Sequence, residues 1–530
     1  MRRPLAAGIA AVAALATSSA ALAHHDDKDT TIYVPDSTTY LLSRSVSGGV
    51  PNGPSRNPAI SQDQRLAKIA AFESDAGDVV AGDVNNVTDV FFIRRAEPYG
   101  NDGTRWQGGQ AELASTGMGG QPANGRSYLP ALDGDPKHLN PHCLAFVSEA
   151  SNLVPDDTNG VADAFVRDLD TGAITRVSVN SHGEQSDGPT FDVSLNGDCS
   201  RVAFTSTATN LALRRAPANE PNLRRLATTT ARPGLKQVYA RILPGNAKDG
   251  GLAGETFLAS AAQRQPGNGD SFDPEWSRSG KALVFTSTAT NLSSRDRAPN
   301  QDVYLRQTKR FFGKFSVTEC RFKKKDGRRV KVCHHTVRGK QTLDLHTRLV
   351  SDGGNGDSLN ASITDDTRRV AYESTSTNLD RRDRNSRFDI YRADMSKHPP
   401  AQLLISSTKS TVGNGESHDA RITAGGIAVF FDSVSTNLKM FPYFLDDPNN
   451  VGDVMVGIPI HGSASVDSLT WENHFADGPS RNPAPSARHN YVLFESTASN
   501  IDQDVRNPLH EQAIFLRYDG PFSGDVVTEP

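Results

Sequence analysis

One short phrase recurs seven times along the 530-residue chain, and a chain built this way folds as an array of like units. The phrase reads AFESDAGDV from Ala71, AFVSEASNL from Ala145, AFTSTATNL from Ala203 and VFTSTATNL from Val284. It continues as AYESTSTNL from Ala371, FFDSVSTNL from Phe430 and LFESTASNI from Leu493. An aromatic and, two residues on, a serine keep fixed places, as in Phe72 and Ser74 or Phe494 and Ser496. Before each copy stands Asn/Asp-Gly-x-Ser/Thr: Asn52-Gly53, Asn124-Gly125, Asp187-Gly188, Asn268-Gly269, Asn355-Gly356, Asn414-Gly415 and Asp477-Gly478. After the copies come short runs such as DVFFIR, DAFVRD, DVYLR and DIYRA.

The unit is therefore turn, strand, strand, loop, strand, turn, strand over about sixty residues, the pattern of a propeller blade. Abundant Gly and Pro and the scarcity of helical periodicity agree with an all-β chain. In the second unit the strands read SYLPAL, CLAFVS, DAFVRD and AITRVSV, from inside outward. A lone blade leaves both sheet faces bare, so the row must close. The last unit runs out of chain before its outer strand, whereas TTYLLSRS at 38–45 is a strand with no unit of its own. The expectation is a single closed seven-bladed β-propeller of four-stranded antiparallel blades over 38–520, the N-terminal strand completing the last blade. PSRNPA at 54–59 and again at 479–484 lies in blades that closure makes neighbours. Turn and hydroxyl chemistry is needed in every blade and a catalytic group only once, so the repeated serines and Asn-Gly turns read as structural.

The first residues, MRRPLAAGIAAVAALATSSAALA, have a charged start, an apolar middle and a small-x-small end. They read as a signal peptide over 1–23, cleaved after Ala23, followed by a flexible segment 24–37; residues 521–530 read as a tail. The chain is thus expected to be secreted or periplasmic. A net charge of -4 does not suit a nucleic-acid binder, no later apolar run is long enough to cross a bilayer, and a monomer is expected. Export makes cysteine pairing relevant. Cys320 and Cys333 flank the turn Asp326-Gly327 and count out directly opposite one another, which predicts a disulfide. Pairing of Cys143 with Cys199 stays open at this level. His334 and His335 adjoin Cys333, but a paired cysteine is no metal ligand.

SRSGKALVFTS…QDVYLR (277–306) and ITDDTRRVAYES…FDIYRA (363–393) resemble the TolB-type, WD-repeat-like propeller family. The resemblance covers nearly all of the mature chain. It implies the propeller fold, and for function either an envelope scaffold or part of a hydrolase or lyase. The expected seven blades depart from the six typical of TolB, so its specific role is not carried over. No G-x-S-x-G occurs, and the repeats leave no length for an α/β-hydrolase domain.

Asymmetry between repeats marks where chemistry can sit. The residues opening each inner strand are expected to rim one mouth of the central channel. Arg56, Asn57, Tyr128, Asp192, Asp273, Asn360, His418, Asp419, Arg481 and Asn482 are the candidate ligand-binding set. A second candidate is the Asp-x-Asn-x3-Asp loop, typified by Asp157, Asn159 and Asp163, an oxygen-rich spacing that makes calcium the candidate ion. Its cognates are Asp83-Asn85-Asp89, Asp383-Asn385-Asp389 and Asp447-Asn449-Asp453. Insertions at 212–234 and 308–342 break the repeat, and the second carries twelve Lys/Arg against two acids, which suits an anionic cell-wall polymer or an acidic envelope protein. The sequence points to a non-catalytic binding scaffold. The alternative is a polysaccharide lyase or glycosidase using channel-mouth carboxylates with a divalent cation, Asp273 with His418 or Asp419 being its first suspects.

Overall fold

A computed structural model describes residues 38–518, except 64–65, 97–105, 136–139, 213–230, 245–253, 263–264, 297, 326–327, 409, 439–448, 460–462 and 467–474, together with 25–26 and 29–30; side chains within 308–345 and 463–466 are not described. The signal-peptide reading falls outside these residues, as does most of the 212–234 insertion. Among the described residues no helix is long and apolar enough to cross a membrane.

Seven four-stranded antiparallel sheets form the propeller. Their inner strands are Ser55–Ile60, Ser127–Leu132, Thr190–Leu195, Ser271–Trp276, Ser358–Ile363, Ser417–Ile422 and Ser480–Pro485. Each second strand carries the repeated phrase and is almost wholly buried, as in Ile69–Ser74, Cys143–Ser148 and Tyr491–Ser496. Both faces of such a strand meet neighbouring blades, so it reads as a continuous apolar run. The N-terminal strand Thr38–Leu41 is the outer strand of blade 7, pairing Thr38 with Tyr518 and Leu41 with Phe515. Closure is thus made by hydrogen bonds between the two ends of the chain.

The repeated residues explain the blade. The aromatic of the second strand stacks on one from the third: Phe72 on Phe91, Phe146 on Phe165, Phe204 on Tyr239 and Phe285 on Tyr304, with centroids 5.7–5.9 Å apart. The serine two residues on bonds the serine that opens the inner strand, at 2.9 Å for Ser127–Ser148 and Ser271–Ser287. It also accepts the backbone N–H two residues further on, as Ser148 does from Ala150 at 3.1 Å. The Asn of the Asn-Gly turns at Asn124, Asn268, Asn355 and Asn414 reaches the end of the same phrase: Asn268 donates to Thr290 Oγ1 at 2.9 Å and accepts from Thr290 N at 2.8 Å. The glycine is required by close approach, since a Cβ at Gly125 would lie 2.8 Å from the Glu149 carbonyl carbon.

Two cysteines from adjacent blades are joined. Cys143 begins the second strand of blade 2, Cys199 sits in the inner hairpin turn of blade 3, and they form a disulfide with Cα atoms 6.1 Å apart. Sequence spacing left this pair open because the contact is between blades. The basic hairpin pairs Asp302–Lys325 with Arg328–Leu349, and its backbone register sets Cys320 opposite Cys333. The bond predicted between those two side chains lies outside the described residues.

Candidate functional site: the channel mouth

All seven inner strands line a central cavity of about 320 Å³. At its mouth the third residue of the inner strand is in the left-handed region in six blades: Asn57, Leu129, Asp273, Asn360, Asp419 and Asn482 have φ between 50° and 55°. Each lies at a register shift, so each is the extra residue of a β-bulge. Asn and Asp tolerate this region better than other non-glycine residues. The ring of amides and carboxylates therefore has a backbone cause, and the same bulge aims these side chains at the throat.

The bulge N–H groups are held by the preceding blade. Asn57 N donates to Glu495 Oε1 at 2.8 Å, Leu129 N to Glu73 Oε2 at 2.8 Å, and Asp419 N to Glu373 Oε2 at 3.1 Å. These glutamates sit between the repeated aromatic and serine. Asn360 N uses Thr286 Oγ1 at 3.3 Å, from the same position. Where blade 2 has Val147 there, no carboxylate is available; the next blade's Asp192 is not left-handed, and the disulfide joins these two blades instead. Sequence reasoning passed over this position, although Glu73, Glu373, Asp432 and Glu495 form a visible acidic series.

The ten candidates fall into two tiers. Asn57, Asp192, Asp273, Asn360 and Asn482 line the cavity. Asp419 joins them through Asn360, whose Nδ2 donates to Asp419 Oδ1 at 2.7 Å, while Arg421 Nη1 donates to Asn360 Oδ1 at 3.0 Å. Asp192 Oδ1 accepts from Thr205 N at 2.8 Å and Oδ2 from Asp273 N at 3.2 Å. Burial and the neighbouring Asp273 push the Asp192 carboxyl up to about 7. Burial also raises Asp273 and Glu275, opposed by the Arg421 guanidinium. Arg421 and Glu275 belong to this throat, and the second and third positions of the strand could not reveal them.

Arg56, Tyr128, His418 and Arg481 form the outer tier, turned to partners around the rim. Arg56 pairs with Asp75 at 2.5 Å, and Arg481 with Glu495 at 3.2 Å. Tyr128 lies under Arg126, and Phe191 under Lys236 at 4.4 Å. His418 bonds Glu373 at 3.1 Å and Glu416 at 3.4 Å, and these carboxylates hold its imidazole up at about 9. The two carboxylates thus favour the charged form of the ring. A basic, aromatic rim thus surrounds a throat rich in carboxyl groups.

In the Asp157-Asn159-Asp163 loop, Arg176 occupies the centre, 3.0 Å from Asp157 and 3.7 Å from Asp163. Asn159 turns its Nδ2 to Asp163 at 2.8 Å, and Ser186 also donates to Asp163 at 3.1 Å. A guanidinium and amide donors stand where calcium needs oxygens, so this donor set does not fit the ion. In the cognate loops Asn85 and Asn385 likewise donate to Asp89 and Asp389, at 2.6 and 3.1 Å; Asp447 lies outside the described residues.

No known family profile and no curated protein matches the sequence. Among solved structures the chain is similar to a puromycin-hydrolysing peptidase from Mycobacterium tuberculosis, at 13% identity over 90% of this chain and 55% of that one, TM-score 0.41. It is similar to prolyl oligopeptidase B from Galerina marginata, at 10% over 84% and 47%, TM-score 0.42. A TolB-like protein from Agrobacterium tumefaciens matches at 12% over 66% of this chain and 94% of that one, TM-score 0.31. The chain spans about half the length of the peptidases it matches. Likenesses this distant carry no argument about role, and the seven-bladed β-propeller rests on the sheets themselves.

Proposed function

We propose that the chain is an exported, non-catalytic binding propeller that engages an envelope protein through the channel mouth, with the basic hairpin as a second contact. The observation that carries this is the two-tier mouth: Arg56, Arg126, Lys236, His418 and Arg481 with Tyr128 and Phe191 outside, carboxyls and amides within. Such a surface suits an extended polar polypeptide whose acidic groups meet the rim while donors enter the throat. The disulfide between blades 2 and 3 fits an oxidising compartment, as does the leader-like start of the sequence.

The test is a cross-linked pull-down of the mature chain, from His24 onward, against its host's envelope fraction. Native chain is run beside Arg56→Ala/Arg481→Ala, Asp192→Asn/Asp273→Asn, and a chain lacking 308–342. A discrete protein lost from the rim and throat variants supports the reading; loss confined to the hairpin deletion moves the contact there. Retention by cell-wall polymer with release of fragments, abolished in Asp192→Asn/Asp273→Asn, replaces it with the glycosidase or lyase reading, for which the raised Asp192 carboxyl beside Asp273 would be the acid.

A further inference from the structure

At the far end of the inner strands from the mouth, Asp133, His142, Cys143 and Cys199 each bring a ligand atom to within 4.8 Å of the others. Asp133 accepts backbone N–H bonds from His142 at 3.0 Å and Cys143 at 3.1 Å, so it is fixed by the hairpin it caps. In blade 1 the same place after the inner strand holds Ser61, whose Oγ accepts from Ile69 N at 3.0 Å. There the capped residue is Ile69; in blade 2 the carboxylate caps both His142 and Cys143. The cap is generic, and the metal-binding side chains are peculiar to this joint.

His142 Nδ1 lies 3.4 Å from Asp133 Oδ2, and its ring is 39% exposed, giving an ion a route from solvent. Zinc bonds of 2.0–2.3 Å in a tetrahedron put ligand atoms roughly 3.3–3.8 Å apart. Asp133 and His142 already have that separation. Cysteine Cα atoms 6.1 Å apart leave room for the two sulfurs to part by that much.

We infer that the joint between blades 2 and 3 is a redox-exchangeable zinc site: a disulfide when oxidised and, when reduced, a Zn²⁺ centre of two thiolates, one imidazole and one carboxylate. A dithiol reductant supplies two electrons and two protons, the S–S bond breaks to two thiols, and the reductant leaves as its own disulfide. Zn²⁺ then displaces both thiol protons and binds the two thiolates, His142 through Nδ1, and the Asp133 carboxylate. Nδ1 gives up its contact with the Asn140 carbonyl, now 3.2 Å away, and Nε2 carries the ring proton. Val147 stands where Glu73, Glu373 and Glu495 accept from the next blade, so either form supplies a tie between blades 2 and 3 that this position does not.

The mature chain is reduced with a phosphine under nitrogen, incubated with zinc, desalted and assayed for bound metal. One zinc per reduced chain and none per oxidised chain is expected, with cobalt substitution giving a thiolate charge-transfer band. Cys320→Ser/Cys333→Ser should keep the metal, which separates this site from the hairpin's Cys-His-His run. Cys143→Ser/Cys199→Ser should lose it, and His142→Ala should weaken it ten-fold or more. A measurement free of mutation runs alongside: in the reduced native chain, zinc should slow alkylation of both Cys143 and Cys199, read by peptide mass spectrometry. Equal alkylation with and without zinc, or metal retained by Cys143→Ser/Cys199→Ser, overturns the assignment.

Discussion

At the scale of the residue, the channel mouth is set by backbone strain. A left-handed residue with a Cβ costs roughly 1–2 kcal/mol, which Asn and Asp partly recover. Leu129 occupies the same conformation, at φ 54°, without that help. Leu129→Asn should therefore be at least as stable as the native chain, and Leu129→Val less stable by about 1 kcal/mol, read from urea unfolding. The reverse order would remove the strain account of the ring. A second expectation concerns the acidic loops: because Arg176 already bridges Asp157 and Asp163, a calcium chelator should leave the melting temperature unchanged, whereas Arg176→Gln should lower it. The two carboxylates lose the cation that bridges them in that variant, and a melting temperature that falls with chelator in the native chain would restore the calcium reading.

At the scale of the element, each inner strand is pinned by the blade before it. Glu495 is 4% exposed and accepts from Asn57 N and Asn482 Nδ2, at 2.8 and 2.9 Å, and from Arg481. Glu495→Ala strands these donors at the joint where the ring closes, and should cost about 3 kcal/mol in chemical unfolding. A loss below about 1 kcal/mol would mean water replaces the carboxylate. At the joint where Val147 replaces the acid, reducing the disulfide in zinc-free buffer should speed amide exchange chiefly in Thr190–Leu195 and Cys143–Ser148. What could be read in advance follows from this division. Blade count, strand order and the closing role of Thr38–Leu41 were legible because alternation, turns and a missing last strand are local signals. The mouth was half legible: the third residue of the inner strand did reach the throat, but the second, as in Arg56, Tyr128, His418 and Arg481, turned to the rim, since adjacent residues of a strand point opposite ways. Glu495 and the Cys143–Cys199 bond act between blades, where spacing along one repeat carries no information.

At the scale of the whole molecule, the ring buries many carboxyl groups, and that sets how its stability varies with pH. Burial pushes Asp89 up to about 6 and Asp133, Asp302, Asp389 and Asp432 up to about 7, as at Asp192. Unfolded, each would titrate near 3.8, so between these values the folded chain holds more protons and its stability falls as pH rises. His418, held at about 9 by Glu373 first, acts in the same direction: its stabilisation is complete below about 6.5 and is lost as pH climbs through 9. The opposite sign comes from Asp187 and Asp168, whose hydrogen bonds keep them below the usual carboxylate range despite partial burial; their contribution disappears only as pH drops below about 4. Maximum stability should therefore lie near pH 4, where the two windows meet, with the melting temperature declining from there towards pH 8. Asp432 offers the sharpest check, because burial and then Asp419 raise it while its Oδ1 has no hydrogen-bond partner. Asp432→Asn replaces an acid that must ionise by an amide that cannot, so it should flatten the decline between pH 5 and 8 and gain relative to the native chain at the upper end. A variant curve parallel to the native one would show Asp432 already ionised at pH 5, with Asp419 and His418 sharing its charge differently from the geometry described above.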